Sequence, residues 1–254
     1  MSLLELSDLT KRFGGIEAIS HVSFSVEEGT VTTVLGPNGA GKTSLFNLIT
    51  GVLRPTSGDI RFGGQSIGQM PVQEIVRKGI ARTFQKLRLF KNLTTEQNVT
   101  LSRLSLGTVS WLSAFAGSSA ARQEEKAAAD EAAELLAFIN LAGFETTRAG
   151  SLAHGQQRLL EIARAMALHP SVLLLDEPMA GLSPEESTRL AESILKIRDR
   201  GITVLLIEHH VDAVMDISDR IVVIDFGKLI FDGPPEAAQI DPRVIAAYLG
   251  AEED

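Results

Sequence analysis

The chain has 254 residues, 44% of them hydrophobic, and a formal net charge of -8 from 24 Lys and Arg against 32 Asp and Glu. That length can bury a full core as one large domain or two lobes, and the acidic balance disfavours a protein whose main work is neutralising nucleic-acid phosphates. Cysteine is absent, which excludes a disulfide framework and thiolate metal sites such as zinc fingers.

The opening MSLLELSDLTKRF carries acids within its apolar run and its basic pair after it, the reverse of a secretion signal. A protein that stays inside the cell is expected. HVSFSVEEG then alternates like a strand, with Val22, Phe24 and Val26 on one face and Glu27-Glu28-Gly29 turning into TVTTVL. After the helix that follows, the glycines and proline of TGVLRPTSGDIRFGG read as turns around another short antiparallel strand.

From about Leu93 the composition shifts to strong helix formers, above all in ARQEEKAAADEAAELLAFINLAG, with Gly143 available as a stop. The longest uncharged run, Leu104 to Ala121 around Trp111, is crowded with Ser, Gly and Thr and lacks the sustained apolarity of a bilayer helix. SVLLLDEP and ITVLLIEHH are near-continuous apolar runs, as in strands buried on both faces, and Pro184 to Arg200 between them reads as the crossover helix of a βαβ unit. DRIVVIDFGKLIFDG is expected to close the sheet as a hairpin turning at Gly227, with DPRVIAAYLG as a final short helix.

Three stretches carry chemistry. The first is GPNGAGKT, the consecutive Gly36, Pro37, Asn38, Gly39, Ala40, Gly41, Lys42 and Thr43, placed between a strand and a helix as a phosphate-binding loop must be. Its glycines let the backbone curl so that N–H groups face inward, Lys42 adds a mobile positive charge, and the Thr43 hydroxyl, with Ser44 beside it, can ligate Mg2+. The second is Asp176-Glu177 at the end of a buried strand. Asp176 can hold magnesium through water, and Glu177 can take the proton of an attacking water, a role worth about 10²- to 10⁴-fold in rate.

The third is LAHGQQRLLEIARAM, where Leu159, Ile162, Ala163 and Met166 form one apolar stripe and Gly155 and Gln156 stand at the helix front. A helix front carries partial positive charge and unpaired N–H groups and suits an anion. Because the chain already has a phosphate cradle at Gly36, this second anion site points to a nucleotide held by another molecule. Two other matches carry less. DFG at Asp225 to Gly227 reads as a hairpin turn, since no kinase catalytic loop precedes it. In EHH, Glu208 to His210, adjacent strand residues face opposite sides and cannot easily converge on one ion, leaving His209 as the residue of interest.

With these residues in this order the chain resembles the ATP-binding cassette family over essentially its whole length. The resemblance implies an α/β P-loop NTPase with a mainly parallel core sheet, an N-terminal antiparallel β subdomain and an inserted α-helical subdomain. It places the nucleotide-binding core at 1–92 and 167–240, the helical signature subdomain at 93–166, and a C-terminal helix and tail at 241–254. It implies ATP and Mg2+ as cofactors, and two cassettes packed head to tail, each signature segment capping ATP seated on the other's phosphate loop.

It puts Phe13 against the adenine ring, Gln85 near magnesium and the attacking water, and His209 on the γ-phosphate, with Ala180 to Pro184 crossing the dimer seam. The family's usual signature is LSGGQ; here Ala153 and His154 replace the serine and first glycine, so a hydroxyl contact is lost while Gly155 and Gln156 remain.

GIARTFQKLRLFKNLTTEQNV, IEHHVDAVMDISDRIVVIDFGKLIFDG and the ending DPRVIAAYLG are similar to the ATPase subunits of branched-chain amino acid importers. That implies a second ATPase subunit, integral membrane permease subunits docking near Gln85 and the helical lobe, an external solute-binding protein, and a place at the cytoplasmic face of the membrane. Relatives associated with urea, amides and aromatic acids leave the solute open. Cassette ATPases of nucleic-acid or ribosome metabolism share these motifs but usually add coiled coils or a second cassette. A nucleotide-binding regulator without catalysis is the third class.

Overall fold

The computed structural model describes residues 2–106, 119–209 and 212–249. Trp111 with most of its uncharged run, and His210 of the EHH triplet, lie outside the described residues. The chain divides into two compact units, one running up to Arg82 and resuming at Ser171, the other spanning Thr83–Pro170.

The first unit holds two sheets. Strands β1 (Ser2–Phe13), β2 (Ile16–Glu27), β4 (Ser57–Phe62) and β5 (Gln65–Ser66) form an antiparallel sheet in the order β2-β1-β4-β5. The expected alternation is present in β2, where Val22, Phe24 and Val26 are buried. The second sheet has the order β10-β9-β3-β8-β7-β6, from β3 (Val31–Leu35), β6 (Ile80–Arg82), β7 (Val172–Asp176), β8 (Thr203–Ile207), β9 (Arg220–Asp225) and β10 (Lys228–Gly233). All neighbours in it are parallel except β9 and β10. Every residue of β3, β7 and β8 is buried, as expected of strands covered on both faces.

Helix α1 (Lys42–Ile49) contributes Leu45, Phe46, Leu48 and Ile49 to a core shared with both sheets, which fixes the phosphate loop between β3 and a buried helix. Next come α2 (Val72–Arg77) and, between β7 and β8, α6 (Pro184–Asp199), whose N-terminus is closed by a Ser183–Glu186 capping box with Pro184 in the first turn. Short helices α7 (Asp212–Met215), α8 (Pro235–Ile240) and α9 (Pro242–Leu249) complete the unit. The β9–β10 hairpin turns at Phe226 and Gly227, both at positive φ, a two-residue turn matching strand twist.

The second unit is helical: α3 (Thr95–Leu104), α4 (Ser119–Phe138) and α5 (His154–Met166), with a 3-10 turn at Ala149–Ser151. It is wider than the 93–166 span that the resemblance implies, because the strandless stretch after Thr83 is bonded to α5: Arg158 donates to the Phe84 carbonyl at 3.2 Å and Glu161 accepts the Arg88 N–H at 2.6 Å. Helix α4 ends earlier than Gly143. Asn140 takes the left-handed conformation, and Leu141 N–H reaches back to the Leu136 carbonyl at 2.8 Å, a Schellman closure. The apolar stripe on α5 also differs from expectation. Leu159 is half-buried while Arg158 and Glu161 are buried with Ile162, Ala163 and Met166, because those two charges pair with each other and bind the preceding loop. Among the described residues no helix is long and apolar enough to cross a membrane.

Candidate active site

The loop from Gly36 to Gly41 leaves the carboxyl end of β3 and enters α1 with Gly41 at the N-cap, where φ is 105°. A β-carbon at Gly41 would lie 2.5 Å from the Ala18 carbonyl oxygen, so only glycine allows β2 to approach this closely. At Gly36 a β-carbon would collide with the Ile224 carbonyl oxygen. No side chain caps α1, so the N–H groups of its first turn open toward the loop. Lys42 is buried, and its Nζ donates to the carbonyls of Gly36 at 2.5 Å and Pro37 at 2.9 Å. Burial pushes its ammonium below the ordinary lysine range, opposed by the charges of Glu177, Asp176 and Glu208. A buried cation beside unpaired N–H groups is a site for a polyanion.

The other groups arrive because β3, β7 and β8 end side by side. Val34 pairs with Ile207, and Asp176 pairs with Ile207. Glu177 N–H continues the ladder to the Ile207 carbonyl at 2.9 Å, and Glu177 itself sits at φ 46°. Left-handed backbone at a non-glycine residue is costly, and such strain concentrates at functional sites. His209 Nδ1 lies 4.0 Å from Glu177 Oε2, with 32% of the His209 side chain exposed. Glu208, fully buried, accepts Met179 N–H at 2.9 Å and so fixes the turn that follows Glu177. The structure thus brings Lys42, Asp176, Glu177 and His209 to one end of one sheet, the usual position for ligands in open α/β sheets.

Thr43 and Asp176 offer oxygen donors only, the chemistry magnesium prefers. Asp176 Oδ2 is engaged by Arg82 at 2.7 Å, so a metal contact through water fits this carboxylate. Phe13 ends β1 with 46% of its surface exposed, its ring face under the Lys11 ammonium at 5.2 Å.

In the helical unit Gln85 is exposed on the loop after β6. The front of α5 exposes Ala153 and His154, whereas Gly155 is buried and Gln156 half-buried. Ala153 has N-cap geometry but no oxygen to offer. Gln156 Oε1 accepts the Ala153 N–H at 3.1 Å, which supplies half of a capping box.

Two supporting residues, Arg82 and Tyr248, escaped sequence reasoning, and a third, Gly227, was legible only as a turn. Arg82 pairs with Asp176 and also donates to Asn47 at 2.7 Å. Gly227 of the DFG turn donates its N–H to the Ala40 carbonyl at 2.9 Å, bracing the phosphate loop. Tyr248 accepts the Gly36 N–H at 2.9 Å. Glu208, which braces the turn after Glu177, left a local signal as a charge directly after a fully apolar run.

The family described as "ABC transporter" matches residues 19–180, and "Branched-chain amino acid ATP-binding cassette transporter" matches 228–254. The chain is 47% identical to the high-affinity branched-chain amino acid transport ATP-binding protein BraF of Pseudomonas aeruginosa, and 41% identical to the corresponding protein LivG of Escherichia coli K12, each over 98% of both chains. A crystal structure of the ADP conformation of MJ1267, an ATP-binding cassette of an ABC transporter, superposes with a TM-score of 0.87 at 33% identity, covering 98% of this chain and 99% of that one. The expected fold class is the one observed, and the chain is an ATPase coupled to transport. The chain belongs to the ATP-binding cassette family of ABC transporters.

Proposed function

We propose that this chain is the ATP-hydrolysing subunit of an importer, in which two cassettes close head to tail on ATP and drive a separate integral membrane permease. The solute is a branched-chain or other amino acid handed over by an external binding protein, and the chain works at the cytoplasmic face of the membrane through its permease. The observation that carries the reading is the convergence of Lys42, Glu177 and His209 at the ends of adjacent parallel strands, in a chain whose relatives are named for branched-chain amino acid transport along nearly their whole length.

In this reading Lys42 exchanges its bonds to the Gly36 and Pro37 carbonyls for the β- and γ-phosphates, joined by the N–H groups opening α1 and the hydroxyls of Thr43 and Ser44. Phe13 offers its ring to adenine. Glu177 takes a proton from water as the water oxygen bonds to the γ-phosphorus and the bond to the ADP oxygen breaks. His209, beside Glu177, contacts the γ-phosphate and orients the nucleophile.

Thr43 and Asp176 would hold magnesium, which would supply charge neutralisation on the phosphates when bound, and Gln85 is the further ligand the family resemblance suggests. The α5 front, with Ala153, His154, Gly155 and Gln156, roofs the triphosphate of the partner cassette through backbone N–H groups.

Isolating the intact complex from membranes, identifying what co-purifies, and reconstituting it in vesicles with a solute-binding protein tests the reading. Leucine, isoleucine or valine should stimulate hydrolysis. Stimulation confined to urea, an amide or an aromatic acid would reassign the solute, and an ATPase that co-purifies with no membrane protein would overturn the importer.

A further inference from the structure

Helix α9 lies at the far end of the chain, yet it reaches the phosphate loop. Tyr248 Oη accepts the Gly36 N–H at 2.9 Å across 212 residues. The carbonyl of the same Gly36 receives the Lys42 ammonium at 2.5 Å. One residue therefore joins the tyrosine to the phosphate-binding lysine through its two backbone polar groups. Gly36 is also closely packed on β9, because a β-carbon there would overlap the Ile224 carbonyl oxygen. The helix that carries the tyrosine also has a packing contact independent of it, through Val244, which is buried. Nothing in Phe, which shares the ring, would replace the hydroxyl acceptor.

We propose that Tyr248 is a positioning residue for ATP binding: its hydroxyl holds Gly36, and through it the resting place of Lys42, so that the C-terminal helix is part of the support of the nucleotide site. The inference rests on the reading of the Gly36–Thr43 loop as the ATP site. It assigns a task to a tail segment that contributes no residue to the phosphate contacts themselves.

The test compares Tyr248→Phe with Val244→Ala, which leaves a small cavity under the same helix but keeps the hydroxyl. ATP titrations in steady-state hydrolysis and calorimetric binding of MgATP give KM, kcat and Kd, and native-state hydrogen exchange reads the Gly36 amide. Loss of one net hydrogen bond predicts that Tyr248→Phe raises KM and Kd about three- to tenfold with kcat within about twofold, and speeds Gly36 exchange about tenfold. Val244→Ala should lower the melting temperature while KM stays within about twofold of the parent.

Unchanged KM, Kd and Gly36 exchange in Tyr248→Phe would overturn the proposal, as would an equal rise of KM in both variants, which would assign the effect to helix docking alone. A parent chain that fails to bind MgATP would instead sink the nucleotide reading, and Gly36 exchange would still decide whether the hydroxyl holds the loop.

Discussion

Arg82 and Asp176 form a buried ion pair, 2.7 Å apart, with side chains 6% and 3% exposed. Arg82 Nη1 also donates to Asn47 on α1, so one guanidinium ties β6 to β7 and to the helix behind the phosphate loop. Removing the arginine takes from this buried carboxylate the guanidinium it is bonded to. Arg82→Met is therefore expected to destabilise the chain by about 3–5 kcal/mol, read as a lower denaturant midpoint. Arg82→Lys should recover only part of this, since an ammonium cannot present a planar fork to two partners at once. A midpoint within error of the parent for Arg82→Met would show that Asp176 does not depend on this partner.

Glu177, proposed above as the base, lies 4.0 Å from His209, and its charge acts on the buried Lys42. Glu177→Gln keeps the shape and removes the base, so turnover should fall about 10²-fold or more while MgATP binding persists and the ATP-bound dimer accumulates in size-exclusion chromatography. Robust hydrolysis by that variant would remove Glu177 from the role.

The front of α5 supports two opposite outcomes. Ala153 sits at φ -62° and ψ 156°, the conformation of an N-cap, without a side-chain acceptor for the third N–H of the helix. Ala153→Ser should therefore stabilise the helical unit by about 0.5–2 kcal/mol, measured as slower hydrogen exchange over α5. Gly155→Asp places a negative charge where the partner's phosphate is proposed to dock, so hydrolysis should be lost even though an acid near a helix N-terminus favours the helix itself. If Gly155→Asp hydrolysed ATP at the parental rate, this helix front would not meet the nucleotide.

The groups legible in the sequence are those whose chemistry is local. Gly36 to Thr43 specify a loop by their own backbone requirements, and β7 and β8 announce their burial by unbroken apolar runs ending in Asp176 and Glu208. The hairpin at Gly227 was equally plain, because a two-residue turn has strict backbone demands. What stayed hidden depends on partners far along the chain. Arg82 meets Asp176 across 94 residues, and Tyr248 meets Gly36 across 212. In isolation each is one polar residue in an ordinary context. Arg158 and Glu161 misled for a related reason: charges on a helix normally mark its wet face, but these are buried because Phe84 and Arg88 lend them backbone partners. Helix α4 stopping at Asn140 rather than near Gly143 has a simpler cause, since Asn also tolerates the left-handed turn.

Tyr248 is the only tyrosine in the sequence, so its ionisation can be followed alone by the near-ultraviolet absorbance of tyrosinate. Burial pushes its hydroxyl up to about 12 from an ordinary 10.0, against a smaller opposing effect of the Gly36 hydrogen bond. The folded chain therefore keeps a proton that the unfolded chain has lost between those two pH values. Because the folded form binds more protons there, raising pH favours unfolding: the contribution is fully present below pH 10 and is lost as pH climbs toward 12. At roughly 1.4 kcal/mol per unit, the loss is of order 2–3 kcal/mol. Unfolding free energy should thus fall more steeply with pH across this window for the parent than for Tyr248→Phe, whose side chain does not titrate, and the lysines common to both chains cancel in the comparison. A parental tyrosinate transition centred near pH 10 in the folded chain, or identical slopes for the two proteins, would show that this phenol is not held in a buried contact with Gly36.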